Sequence, residues 1–296
     1  MKLETALSRR LGLRYPFVAA PMFLVSNKEM IVACAEAGIL GTMPSLNART
    51  TEQFAADLAW IRARTDKPFG INVTIGLMQK ERIEADFAAC VEHGVPVLIT
   101  SYGNPTELAG RAHANGMTVF HDVISLGHAK KAEAAGVDAI IAVAAGAGGH
   151  AGRISPFVLY PWLAEKLSVP IIAAGCITTG QQVVASLALG AQLCYIGTRF
   201  IASTECGAVD AYKQKVVTAG PEDIVYTDAV SGIHANFLKD TVPEGFTADR
   251  SPDGAKRWRD IWSAGQGVGL IDAVQPIGQI VESLVRDAHD THAKLG

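Results

Sequence analysis

Short apolar runs of four to eight residues alternate along this chain with longer stretches whose apolar residues recur three and four apart. The runs cover residues 17–22, 39–44, 69–73, 96–103, 118–123, 139–145, 170–175 and 193–200. Runs of this length that are apolar almost throughout predict strands covered on both faces. The stretches between them, such as 27–38 and 52–65, predict amphipathic helices with one polar face. Two of the helices end at Gly38 and Gly136 and others stop near Gly94 and Gly116, as glycine C-caps do.

Eight strand-then-helix units in order predict an α/β protein of the (β/α)8 barrel class. A doubly wound open sheet is the alternative, and the first strand lacks the early glycine fingerprint that such sheets carry. After Thr218 the periodicity breaks. Residues 243–260 are polar and aperiodic and predict a loop, whereas 261–272, "IWSAGQGVGLID", are glycine-rich yet apolar. An amphipathic helix over 277–294 is expected to pack outside the barrel. The division that follows is a barrel from 1–218 and 261–296, with 219–260 a loop-rich insertion near its mouth.

Composition narrows the function classes. Of 296 residues, 49% are hydrophobic but only 7% aromatic, so aliphatic side chains must fill the core. A net charge of −3 gives no basic face for nucleic acid or anionic lipid. The five cysteines form no CxxC pair, which predicts reduced thiols, no metal site and a cytoplasmic location. The N-terminal stretch carries Glu4, Arg9 and Arg10 where a signal peptide would be apolar, and no apolar run is long enough to span a membrane.

The chemistry of such barrels lies at the C-terminal ends of the strands, with phosphate after strands seven and eight. The seventh run ends at Gly175, ahead of Thr178-Thr179-Gly180, and the eighth contains Gly197-Thr198 after the turn at 189–192. Small residues there let backbone N–H groups reach an anion. Residues 146–151 match GxGxxA literally, but the next helix start is at Ser155-Pro156, so the dinucleotide reading fails. His150 is left in a loop with Gly148 and Gly149, which leave space for a ligand. That favours a functional histidine over a surface one. His121 and Asp122 are strand neighbours, so only one can enter the barrel, and structural roles stay open for both. Asn72 can present an amide inward, as a ligand or as a buried structural group. No lysine stands at a strand end for a Schiff base.

The ordered motifs "AAPM", "PFGINVT", "GAGGHAG", "IIAAG", "LGAQLCYIGTRFIAS" and "IWSAGQGVGLID", from Tyr15 to Asp272, resemble the nitronate monooxygenase family, formerly 2-nitropropane dioxygenases. The wider superfamily also holds flavin enoyl-acyl-carrier-protein reductases and NADH:quinone reductases. The resemblance implies an FMN-binding barrel with the flavin at its mouth. It implies Ala20, Pro21, Met22 and Asn72 beside the ring system, Gly148 and Gly149 near it, and Gly175, Gly197 and Thr198 at the phosphate. Ser263, Gly265 and Gln266 would return over the cofactor, His150 would be catalytic, and His121 and Asp122 would border the substrate. Asp122 and Val143 depart from relatives that carry lysine and aspartate there.

The activity implied is oxidation of alkyl nitronates or nitroalkanes by FMN and dioxygen to a carbonyl compound and nitrite. NAD(P)H-dependent reduction of quinones or enoyl thioesters is one alternative. A flavin-free lyase or isomerase acting on a phosphorylated metabolite is another. Expected partners are therefore a small nitronate or nitroalkane and dioxygen, with NAD(P)H and a homodimer left open and no nucleic acid or membrane.

Overall fold

A computed structural model of the chain describes residues 3–249, 256 and 258–295. Its strands are β1 (Phe17–Ala19), β2 (Leu40–Pro44), β3 (Phe69–Thr74), β4 (Val97–Ser101), β5 (Thr118–Val123), β6 (Ala139–Val143), β7 (Gly149–His150), β8 (Ile171–Ala174), β9 (Ala191–Ile196), β10 (Ile224–Thr227) and β11 (Ala235–Leu238). All but β7, β10 and β11 run parallel in one closed barrel, sealed where Phe17 pairs with Cys194 and Ala19 with Ile196. This is the (β/α)8 barrel that the alternating pattern predicts.

The helices are α1 (Ala6–Arg10), α2 (Lys28–Glu36), α3 (Thr51–Arg62), α4 (Lys80–Glu92), α5 (Thr106–Ala114), α6 (Leu126–Ala134), α7 (Pro156–Lys166), α8 (Gly180–Ala188), α9 (Thr198–Ile201), α10 (Asp210–Thr218) and α11 (Ile277–Leu295). Local chemistry marks their ends. Asn27, Thr50 and Ser125 cap α2, α3 and α6 by accepting from backbone N–H groups. Gly38, Gly94, Gly116 and Gly136 follow α2, α4, α5 and α6 with φ between +59° and +85°.

Strand alternation divides the apolar residues into two layers. Val18, Leu40, Val97, Ile99, Phe120, Ile141, Ile172 and Leu193 fill the barrel, whose lower end is plugged by Leu7 of α1 and by Leu13. The opposite faces, including Ile71, Leu98, Val119 and Ile140, pack outward under the helices. Both layers are close-packed, so Phe120→Ala would cost roughly 3–5 kcal/mol. The late helix α11 lies on α8, where a Cβ at Gly180 would stand 2.2 Å from the Ala288 backbone nitrogen. Only glycine allows that approach.

The differences from the predicted strands have local causes. The first strand stops at Ala19, so Ala20, Pro21 and Met22 form the exit loop rather than strand. The eighth ends at Ile196, and Thr198–Ile201 turn into α9. Within 219–260, β10 and β11 pair antiparallel and β11 also pairs with β7, giving a second, three-stranded sheet. Val230, Ala235, Phe237, Phe246 and Ile261 form its own small core. Of the loop expected over 243–260, residues 250–255 and 257 lie outside the described residues. No described helix is long and apolar enough to cross a membrane.

Candidate active site

Above the apolar barrel filling, a cavity of ≈ 1150 Å³ opens at the C-terminal ends of the strands. A single small-molecule site usually occupies about 300–1,000 Å³, so there is room for a cofactor and a second molecule. Ala20, Pro21, Met22 and Asn72 line it on the β1–β3 side. Gly148, Gly149 and His150 line it after β6, and Gly175, Gly197 and Thr198 after β8 and β9. Ser263 and Gly265 complete that wall, but Gln266 does not reach the cavity. Its side chain instead backs the turn at Gly146, where a Cβ would stand 2.7 Å from Gln266 Oε1.

The glycines after β6 serve two different purposes. A Cβ on Gly148 would lie 2.9 Å from both Gly265 N and Thr198 Oγ1, and one on Gly265 would lie 2.5 Å from Gly146 O. Three loops therefore meet backbone to backbone, joined by Gly265 N–H donating to Thr198 Oγ1 (2.9 Å) and Gln266 N–H to Gly146 O (2.9 Å). Gly149, at φ +68°, has nothing within 4 Å of its Cβ position. The open space expected over this loop lies at Gly149, not at Gly148.

His150 belongs to β7 and pairs with Ala235 of β11. Its Nε2 lies 3.1 Å from Ser231 Oγ. Tyr102 meets the imidazole edge-on at 5.4 Å, and Trp258 stands at the same distance. Burial pushes its pKa from 6.5 down to about 4, so it is neutral at neutral pH.

A polar relay crosses the opposite wall. Thr74 Oγ1 donates to Asn72 Oδ1 (3.4 Å), Asn72 Nδ2 to Ser101 Oγ (2.8 Å) and Ile99 O (3.2 Å), and Ser101 Oγ to Asp122 Oδ2 (2.7 Å). Both amide hydrogens of Asn72 are thus used within the chain, and only its oxygen can serve a ligand. Burial raises the Asp122 pKa to about 6, against the opposing hydrogen bond from Ser101. Its neighbour His121 faces out of the barrel, with Nδ1 2.8 Å from Thr100 Oγ1. Burial, then the nearby His128, lower its pKa to about 4. It borders an arm of the cavity that reaches His128 and Lys131 of α6. Lys131 is the only lysine, and no arginine is found, among the described residues on the cavity wall. Val143 also lies on that wall.

The periodic pattern gave no sign of Ser101, Tyr102, Ser231 or Trp258. Hydroxyl residues ending adjacent strands, as in "NVT" and "ITS", were the available hint for the relay.

A family model described as nitronate monooxygenase matches residues 4–287. The chain belongs to the nitronate monooxygenase family. Members of this family are flavin enzymes, which makes the chain an oxidoreductase by descent. Over 248 residues it is 30% identical to a Mycobacterium tuberculosis (3aS,4S,5R,7aS)-5-hydroxy-7a-methyl-1-oxo-octahydro-1H-indene-4-carboxyl-CoA dehydrogenase, covering 82% of this chain and 68% of that protein. Among solved structures it resembles FabK from Thermotoga maritima, with 30% identity, a TM-score of 0.87, and 99% and 98% of the two chains covered. It also resembles the nitroalkane oxidase from Streptomyces ansochromogenes, with 26% identity, a TM-score of 0.84, and coverage of 99% and 100%.

Proposed function

We propose that this family member is an FMN-dependent oxidoreductase that oxidises nitroalkanes and their nitronates with dioxygen to a carbonyl compound and nitrite. The observation that carries the reading is His150, a neutral, half-buried imidazole on the cavity wall. A neutral histidine is a base and not a cation, so it suits removal of the α-proton from a neutral carbon acid. The Asp122 carboxyl on the same cavity favours the neutral nitroalkane over its nitronate anion as the form that enters.

The residues fit the cofactor. Ser263 Oγ is buried with no partner among the described residues, and the backbone of Gly197 and Thr198 borders the same wall. Such an unspent polar group beside Gly175 and Gly265 suits the FMN phosphate. Ala20, Pro21 and Met22 offer an apolar wall to a flat ring, and Asn72 Oδ1 offers it an acceptor. Bound FMN would supply a two-electron acceptor that dioxygen can reoxidise. The chain's share is to hold that ring, to accept the substrate proton at His150 and to keep water out.

The test is an absorbance spectrum of purified protein, followed by turnover of nitroalkanes by wild type and His150→Asn. The variant should keep its flavin and lose at least about 100-fold in turnover. Undiminished turnover would overturn the base assignment, and a colourless protein that FMN cannot reconstitute would overturn the cofactor.

A second reading is favoured by the size of the cavity and its apolar rim, where Phe23, Leu77 and Ile124 are exposed. It is oxidation or reduction of an acyl thioester, with or without NAD(P)H, in line with the carboxyl-CoA dehydrogenase name of the 30%-identical Mycobacterium tuberculosis protein. An α-proton beside a thioester is also a carbon acid, so His150 would keep its role. Rapid anaerobic bleaching of the flavin by NADH or NADPH would favour this reading, and its absence would favour the first.

A further inference from the structure

Ser231 lies in the turn between β10 and β11, and β11 is the strand that pairs with His150. The small sheet and its turn therefore bring the two residues together across 81 positions of sequence. The Ser231 hydroxyl has two neighbours, Ile233 O at 3.1 Å and His150 Nε2 at 3.1 Å. A hydroxyl has one proton to give, and a carbonyl oxygen can only accept. Both bonds exist together in one arrangement: Ser231 donates to Ile233 O, and the imidazole donates to Ser231 through Nε2–H.

We infer that Ser231 is a positioning residue that fixes His150 as its Nε2–H tautomer and leaves Nδ1 bare. Among the described residues Tyr102 and Trp258 also meet the imidazole, through their own rings. Nδ1 has no hydrogen-bond partner among the described residues, and His150 lines the cavity. On a cavity-lining histidine, that bare nitrogen would be the one left to take a substrate proton. Which nitrogen carries the proton is set by the hydrogen bond that the other makes. The inference deepens the reading of His150 as a base, yet it concerns the imidazole alone and can be tested apart from turnover.

The experiment is long-range proton–nitrogen NMR of the holoenzyme labelled with ¹⁵N-histidine at neutral pH, with His150 assigned by comparison with His150→Asn. Wild type should give a protonated, pyrrole-like Nε2 and an unprotonated, pyridine-like Nδ1. In Ser231→Ala both nitrogens should move toward a tautomer average, and kcat on a nitroalkane should fall about tenfold, the worth of one hydrogen bond, with KM little changed. Ser231→Thr should restore both. A protonated Nδ1 in wild type, or an unaltered nitrogen pattern in Ser231→Ala, would overturn the inference. If the alanine variant fails to fold, the wild-type and threonine spectra still decide it. Should His150→Asn keep full turnover while the tautomer pattern responds to Ser231, the base reading falls and the tautomer assignment stands.

Discussion

Two walls of one cavity treat their ionisable groups differently. His150 stands on a two-residue strand of the small second sheet, held by Ser231 and flanked by Tyr102 and Trp258. Asp122 stands on a barrel strand, at the end of a relay that begins at Thr74. Burial drives both toward their neutral forms, lowering the imidazole to about 4 and raising the carboxyl to about 6. The results diverge at neutral pH. The histidine is uncharged and ready to take a proton, whereas the carboxyl, supported by Ser101, is still mostly ionised. The cavity thus pairs a neutral base with a negative wall, an arrangement suited to a substrate that enters neutral.

The largest effect that could break this contrast comes from the base itself, since His150→Asn should cost at least about 100-fold in turnover. Next is the negative wall. Asp122→Asn should lower KM for an anionic nitronate by about three- to tenfold, the scale of one partly screened charge, and leave KM for the neutral nitroalkane nearly unchanged. Equal changes for both substrates would show that the wall is not selecting by charge. The relay is sharpened by Ser101→Ala. Losing that hydrogen bond should raise the pKa of Asp122 above about 6, read from its carboxyl ¹³C titration.

The smallest effect concerns stability. His121 and His150 have folded pKa values near 4, against 6.5 unperturbed, so between those values the unfolded chain binds more protons. Their contribution is fully present above 6.5 and lost as pH falls through 4. Asp122 acts oppositely, losing its contribution as pH rises from 3.8 through about 6. Two histidines outweigh one aspartate, so Tm should fall as pH drops from 6.5 to 4. The slope should be shallower in His121→Asn, and an unchanged slope would mean that His121 is already charged in the fold.

The barrel was legible in the sequence because its strands are covered on both faces and so appear as short runs that are apolar almost throughout. Helix ends were legible for a related reason: Gly38, Gly94, Gly116 and Gly136 occupy left-handed positions that other residues avoid. The second sheet was not. Gly149–His150 is too short to have a period, and Ile224–Thr227 and Ala235–Leu238 are four residues each. The opposite facing of His121 and Asp122 followed from strand alternation alone. What Asp122 touches did not, because Ser101 reaches it from another strand. Tyr102 falls within the apolar run at 96–103, but at φ +52° it leaves the strand and turns to His150. Ser231 meets His150 only because the small sheet folds back.

The central claim, that burial keeps His150 a neutral base, is tested most directly by kcat/KM on a neutral nitroalkane as a function of pH. The profile should be measured in Asp122→Asn and in the double variant with His121→Asn, so that neither of those groups titrates in the acid range. Activity should stay level down to about pH 5 and fall along an acid limb near 4, the value set by burial. An acid limb at 6.5 or above, or activity that rises on acidification, would contradict it.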